Sequence, residues 1–347
     1  MKIYNFKIAA YRFSHTAVGK FILKMLSSLV CVKNLSKENP GKKHPFLVCI
    51  TIDTESGYVK KNDERAWQYS NPEEFIGYYG GIENWRKILN KYGAKSTFFL
   101  STNCFSAKNQ EKLRIVNQLK LLKKEGHEIG LHMHPDSDLA LQEELGTKFN
   151  FTSSKKYNKK QIDSFISSCK NLIYKNTGNY PESFRWGNWA LGNDAVNSLE
   201  SNKILIDSSA TPGIKGHEND GMAFDWSRSK SHYPWKLSSN DYQNEAIGSS
   251  NVVEIPIATF NFLGLTMRAD PSYPVLLNKC FDYYYRYADR SKKPFAFVVI
   301  SHSMEGTHKD GSATKVISVM EDFLEHASAK KDVKFSTIKE AAKQIEQ

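Results

Sequence analysis

From residue 46 to the C-terminus, short apolar runs alternate with longer segments of helical period. This alternation constrains the fold more than any other feature of the 347-residue chain. Strands are predicted over 46–53, 95–101, 128–134, 183–187, 204–208, 252–259, 295–301 and 333–336. Several are continuous runs, such as Phe46-Leu-Val-Cys-Ile-Thr-Ile52 and Phe295-Ala-Phe-Val-Val-Ile300. Runs that are apolar on both faces suit parallel strands covered on both sides. Helical period fills 82–92, 109–124, 159–176, 194–201, 274–289, 313–330 and 338–345, and Gly93 and Gly126 each follow basic residues where a helix should stop. Seven or eight strand–helix alternations predict an α/β fold, a distorted (β/α)7-type barrel rather than two dinucleotide-binding halves. No glycine-rich phosphate loop of either standard spacing occurs, so a nucleotide cofactor has no support.

One stretch breaks the alternation. Residues 209–251 are rich in Gly, Ser, Asn, Trp and Tyr, with Phe224-Asp-Trp226 and His232-Tyr-Pro-Trp235 at the centre. A loop of this length is a lid or binding loop. Its aromatics fit either a sugar-binding surface or an internal staple.

The N-terminus follows a different rule. Nine of the 48 Lys and Arg and one of the 37 Asp and Glu lie in residues 1–45. The arm therefore carries +8 of the net +11, and the remaining chain only +3. Val18, Phe21, Ile22, Met25 and Leu29 recur at helical spacing, with Lys20 and Lys24 on the other face. Such a helix either lies on an anionic leaflet or packs on the body with its lysines in water. The Pro- and Gly-punctuated segment 38–45 ends the arm and marks a boundary, giving an arm over 1–45 and a catalytic barrel over 46–347. Apolar stretches in the arm are too short to span a bilayer and are interrupted by Lys and Arg. Five scattered cysteines (31, 49, 104, 169, 280) form no Cys-x-x-Cys pair. Together these features predict a cytoplasmic protein, possible at the inner face of the plasma membrane. The nearly neutral body lacks a basic stripe, which argues against a nucleic-acid partner.

In a parallel barrel, chemistry collects at the C-terminal strand ends. Here those ends carry Asp53 and Glu55, His132 and His134, Arg185, Asp207 and His302. Alternation along 128–134 puts Ile129, Leu131 and Met133 on one face and the two histidines on the other. Two imidazoles with a carboxylate fit a catalytic divalent-metal centre. A second carboxylate is then available as general base and a separate histidine as general acid, jobs for which Asp53 and His302 are placed. Taken singly, Arg185 could be a structural ion-pair residue, Asp207 a turn cap and His302 a core histidine. His127 reads as structural, and His308 and His326 as surface residues.

These motifs resemble, in order, those of the polysaccharide deacetylase superfamily, the NodB-homology domain. Thr51-Ile-Asp-Thr-Glu55 stands where that family has T-F-D-D-G, and Lys95-Ser-Thr-Phe-Phe-Leu100 is similar to its A-T-F-F strand. Gly126-His-Glu-Ile-Gly-Leu-His132 is similar to its G-H-E-I-G-N-H. Phe184-Arg-Trp-Gly-Asn-Trp189, Asp207-Ser-Ser209 with Thr211-Pro-Gly213, and Ile300-Ser-His-Ser303 resemble the later motifs, and Val253-Glu-Ile-Pro256 the strand after the lid. The resemblance implies a divalent metal (zinc first, with cobalt, nickel or manganese as alternatives) and removal of acetyl groups from sugars. It implies Asp53 as general base, Arg185 orienting it, and His302 as general acid tuned by Asp207. The chain departs from the family at two ligand positions. Thr54 replaces the second Asp, so Glu55 or Asp53 must supply the carboxylate. His132-x-His134 replaces His-x-x-x-His, leaving His134, or Asp136 at the old spacing, as the second partner of His132. Such changes resemble a variant branch of surface-polysaccharide biosynthesis acting on a saccharide or a lipid- or nucleotide-linked sugar. The alternative is a catalytically degenerate barrel that binds glycan or scaffolds other proteins.

Overall fold

The computed structural model describes residues 12–38, 40–61, 68–216 and 224–346. Expectations resting on Lys2, Lys7 and the 217–223 part of the long loop lie outside the described residues.

Strands β1 (Phe46–Thr54), β2 (Ser96–Ser101), β3 (Glu128–Met133), β4 (Ser183–Trp186) and β5 (Ile206–Asp207) pair side by side, all parallel. Strand β6 (Trp235–Lys236) comes from the long loop and pairs antiparallel with β7 (Val253–Glu254), which is parallel to β5. On the other flank β10 (Phe295–His302) is parallel to β1. The ring closes just past β7, where Ile257 bridges Val298 in parallel and the Ala258 N–H donates to Val298 O at 3.0 Å. Seven parallel strands therefore form a distorted barrel with its weakest seam between β7 and β10.

The predicted strand over 252–259 is divided by this seam. Its end turns outward into a hairpin, β8 (Thr259–Phe262) and β9 (Leu265–Arg268), which the sequence reading did not contain. The last predicted strand, β11 (Val333–Phe335), pairs with the start of β1 outside the ring.

Every residue of β1 is buried, as its unbroken apolar run requires. Phe46, Val48, Ile50 and Ile52 pack outward among the surrounding helices, while Leu47 and Cys49 point into the ring with Phe99, Val298 and Ile300. The floor of the ring is helix α9 (Ile338–Glu346), whose Ile338, Ala341, Ala342 and Ile345 plug the N-terminal strand ends. Gly130 is dictated by this interior. A Cβ there would lie 2.6 Å from both the Phe99 ring and Ser183 Oγ.

The described aromatics of the long loop resolve the two readings of that segment in favour of a staple. Trp226, Trp235 and Tyr242 are buried, and Trp226 Nε1 donates to Trp189 O at 2.9 Å. Residues 12–38 lie against the barrel through helix α1 (Ala17–Leu26), capped at its start by the Thr16 side chain. His308 is not the expected surface residue. It is buried, its Nδ1 2.8 Å from Val59 O. His326 is half-buried and paired with Asp282 at 2.8 Å, and His127 is buried in the structural role expected of it.

Candidate active site

The parallel register sets the site. Asp53 is the direct neighbour of His302 across β1 and β10, and His132 is the neighbour of Arg185 across β3 and β4. Alternation turns all four side chains into the ring at its C-terminal mouth.

Arg185 lies deepest and is fully buried. Its Nη1 donates to Asp53 Oδ1 at 2.7 Å and to Thr51 Oγ1 at 2.8 Å, and its Nε donates to Ser208 O at 2.7 Å. Its guanidinium stacks 4.4 Å above the Phe99 ring. A planar fork with this many fixed acceptors has one orientation, and so therefore does the Asp53 carboxylate.

Glu55 leaves the end of β1 and reaches over Asp53. Its Oε1 lies 2.8 Å from His132 Nε2 and 3.2 Å from His134 Nε2. Ser303 fixes its backbone, accepting from Glu55 N–H at 3.0 Å. Thr54, at the family's second-Asp position, instead hydrogen-bonds its own strand at Ile52 O. Two carboxylates thus face the histidines: Glu55 directly, and Asp53 with Oδ2 3.9 Å from His132 Nε2. His134 packs so closely on the turn after β4 that a Cβ on Gly187 would lie 2.5 Å from its ring. Asp136, the alternative at the old spacing, lies outside this cluster.

The donor set fits a cation. His132 Nδ1 is 3.0 Å from the Arg185 carbonyl, which can only accept, so Nδ1 carries the proton and Nε2 offers a lone pair. That lone pair faces a carboxylate oxygen. Either an imidazolium or a positive ion between them relieves the opposition, and backbone anchoring of the far nitrogen is how metal-binding histidines are usually oriented. Ligand atoms of Glu55, His132 and His134 all fall within 4.8 Å of one another, as do those of Asp53, Glu55 and His302. Burial alone would raise the Glu55 pKa, but the flanking histidines hold it well below the ordinary carboxylate range. His134 is raised in turn, since Glu55 outweighs the burial that disfavours its charge.

His302 stands across the mouth with Nδ1 3.2 Å from Glu305 Oε1. Burial works against its charge, but Glu305, with Glu55 and Asp53 behind it, pushes its pKa up to about 9. Glu305 also accepts from Ser301 Oγ at 2.7 Å and from His302 N–H at 3.1 Å. Neither Glu305 nor Ser303 was among the residues picked from the sequence. Their signal was only a Ser and a Glu one and three residues past a strand-terminal His. Asp207, expected to tune His302, lies elsewhere. It accepts from Ser209 Oγ at 2.7 Å and abuts Glu254 near Arg185. Burial raises both acids, Glu254 further because Asp207 is beside it.

Residues 77–204 match the polysaccharide deacetylase family. The matched segment contains His132, His134 and Arg185, while Asp53, Glu55 and His302 reach the same mouth from outside it. No curated protein matches the sequence. Among solved structures, a Mycobacterium smegmatis protein described as a polysaccharide deacetylase is 15% identical, with a TM-score of 0.56 over 90% of this chain and 95% of its own. A Pseudomonas aeruginosa PAO1 protein named likewise is 13% identical, with a TM-score of 0.53 over 86% of this chain and 90% of its own. Puue allantoinase is also 13% identical, with a TM-score of 0.53 over 86% of this chain and 89% of its own. At these identities the likeness is one of fold, and it includes a protein named for a different reaction. Sequence match and fold coincide on the same strands: residues 77–204 match the polysaccharide deacetylase family, and the chain shares its fold with solved structures of that description.

Proposed function

We propose that this protein is a metal-dependent hydrolase that removes an N-acyl group, N-acetyl first, from a saccharide. The observation that carries the reading is the pair of oriented carboxylates at one mouth, Glu55 on two imidazoles and Asp53 on a fully buried arginine. Glu55, His132 and His134 would hold the divalent ion, with Asp53 at the edge of the set. Zinc is the first candidate by donor type, two imidazoles and a carboxylate. Such an ion supplies Lewis acidity toward a carbonyl oxygen.

The chain's own groups supply the proton transfers. Asp53 accepts a proton from the water that adds to the acyl carbon, and Arg185 keeps that carboxylate aimed. His302, carrying a proton at neutral pH, gives it to the departing nitrogen as the C–N bond breaks. A free carboxylic acid and an amine leave. Glu305 positions His302, and Asp207 with Glu254 supports Arg185 from below. A lipid- or nucleotide-linked sugar intermediate of surface-polysaccharide assembly is the substrate class we favour, given the basic arm.

The test is release of acetate from N-acetylated sugars by chelated protein before and after Zn²⁺ or Co²⁺ is restored. Turnover should return with the metal and fall by about 10²–10⁴-fold in Asp53→Asn, the range for loss of a general base. Unchanged turnover in that variant would sink the mechanism. A protein that takes up no divalent ion would instead be the glycan-binding or scaffolding barrel.

A further inference from the structure

Helix α1 carries its apolar side chains on the wrong face for a helix that serves only to pack. The half-buried Leu23 and, just past the helix, Ser27 meet the barrel, where the neighbouring helix is α7 (Pro274–Tyr287), while Gly19 is covered by the arm's own backbone at Phe13 and Ser14. Val18, Phe21, Met25 and Leu29 point to solvent, with Phe21 63% and Met25 67% exposed. A helix that needed only to cover the barrel would place its large side chains inward. This one packs Leu23 inward and leaves Val18, Phe21, Met25 and Leu29 in water.

The hairpin beside it repeats the pattern. Cys31 and Asn261 exchange both backbone hydrogen bonds, at 3.0 and 2.7 Å, in an antiparallel bridge. Antiparallel pairing sends the hairpin onward from Asn261 as the arm runs back toward Leu29. Its tip is therefore directed toward the C-terminal end of α1. The two-residue turn there, Leu263 and Gly264, has φ of +48° and +80°. Such turns favour Asn-Gly, because a bulky residue at positive φ is strained. Leu263 nonetheless occupies it, and both it and Leu265 are exposed, Leu265 by 68%. Among the described residues this strained leucine at the tip is left largely uncovered.

Charge identifies the surface these side chains meet. The described arm, residues 12–38 and 40–45, has seven Lys or Arg and one acid, Glu38. Lys20 and Lys24, expected on the opposite face, are exposed like Phe21 and Met25 and border them along the helix, and no ion pair to either lysine occurs among the described residues. Large apolar side chains framed by lysines match the headgroup boundary of an anionic bilayer, where apolar groups enter and lysines meet lipid phosphates. No helix among the described residues is long and apolar enough to cross a membrane. We propose that α1 and the 263–265 hairpin tip form a peripheral docking surface for an anionic lipid bilayer, holding the barrel at the membrane without spanning it. This inference does not depend on the deacetylase chemistry.

Co-sedimentation of the full chain with vesicles tests it, using phosphatidylcholine alone and phosphatidylcholine with phosphatidylglycerol. The unaltered protein should partition at least tenfold more strongly onto the anionic vesicles, and 0.5 M salt should weaken that binding. Phe21→Asp with Met25→Asp should abolish it, Leu263→Asp with Leu265→Asp should reduce it severalfold, and Lys20→Glu with Lys24→Glu should remove the preference for anionic lipid. Circular dichroism and the thermal midpoint of each variant verify that the fold is retained. Equal recovery on both vesicle types, or none, overturns the proposal. So does sedimentation of the free protein as a dimer that Phe21→Asp with Met25→Asp converts to monomer, since the occupant would then be a second copy.

Discussion

Histidines stand at both ends of strand β3, His127 just before it and His132 and His134 at its close, and the two ends have opposite fates. At the floor, His127 Nδ1 accepts from the Ser96 backbone N–H at 3.2 Å, and burial lowers its pKa to about 4. At the mouth, His132 and His134 face Glu55, and His134 is pushed upward. The floor also holds a half-buried acid, Glu128, but its hydrogen-bond donors are neutral: Thr97 Oγ1 at 2.7 Å, Ser183 Oγ at 2.6 Å and the Lys339 N–H at 2.9 Å. A cleft of about 390 Å³ opens at this end as well, lined in part by His127 and Glu128. Cavity and ionisable residues alone do not make a site. At the floor the hydrogen-bond partners of His127 and Glu128 are neutral, and burial keeps the charge of both groups low. At the mouth, lone pairs and carboxylates are brought face to face and left for a cation.

That contrast predicts that mouth substitutions remove function with little loss of stability, and floor substitutions do the reverse. The largest effect should come from Glu55→Ala. It should abolish stoichiometric binding of Zn²⁺ or Co²⁺, read by metal analysis after dialysis, and lower deacylation by more than about 10³-fold, as expected when an electrostatic centre of this kind is lost. Denaturant unfolding should change by less than about 1 kcal/mol, since the side-chain contacts of Glu55 are confined to His132 and His134 at the mouth. A metal content equal to wild type would erase the contrast.

Arg185 belongs to both classes, which sharpens the comparison. Arg185→Met would leave Asp53 buried without its partner, and breaking such a pair costs about 3–5 kcal/mol. Both unfolding free energy and turnover should fall. If stability held while turnover fell, Arg185 would be a site residue only.

How much of this was legible in the sequence follows from the same geometry. Asp53, His132, His134, Arg185 and His302 were found because a parallel barrel sends strand-terminal side chains to one mouth and strand alternation is regular. Glu305 was not, because it sits past the strand end on a tight 3-10 turn, where no period relates it to His302. Asp207 was assigned to His302 by resemblance, yet β5 is separated from β10 by β7 around the ring, and its neighbours are Ser209 and Glu254. The hairpin at 259–268 escaped because its turn carries Leu where turn chemistry favours Asn. The hydrophobic period located α1, but a period cannot say which face meets the protein, and here the face bearing Leu23 does while the apolar stripe of Val18, Phe21 and Met25 stays exposed.

At the floor, Glu128→Ala should leave three donors without their acceptor. Hydrogen bonds of this kind leave a desolvation cost of about 1–3 kcal/mol when one partner is removed from a buried site. We expect a loss of about 3 kcal/mol in unfolding free energy, with turnover per folded molecule within about twofold of wild type. A turnover loss comparable to that of Glu55→Ala would mean that the floor is part of the chemistry.

The smallest effect concerns His127 and has a defined sign. Its folded-state pKa is about 4 against an ordinary value of 6.5, because burial opposes its charge and its Nδ1 lone pair is already committed to the Ser96 N–H. Between those two pH values the unfolded chain binds the extra proton and the folded chain does not. Folding free energy from this group is therefore complete above about pH 6.5 and is lost as the pH falls toward 4, by up to about 3 kcal/mol. His127→Gln places a non-titrating acceptor near Ser96 N–H. The difference between wild-type and variant stability should change by about 2.4 kcal/mol between pH 7 and pH 4.5 and be nearly flat above pH 7. A difference constant across the whole range would show that His127 is not held neutral. The two ends of β3 would then no longer be distinguished by how they treat a proton.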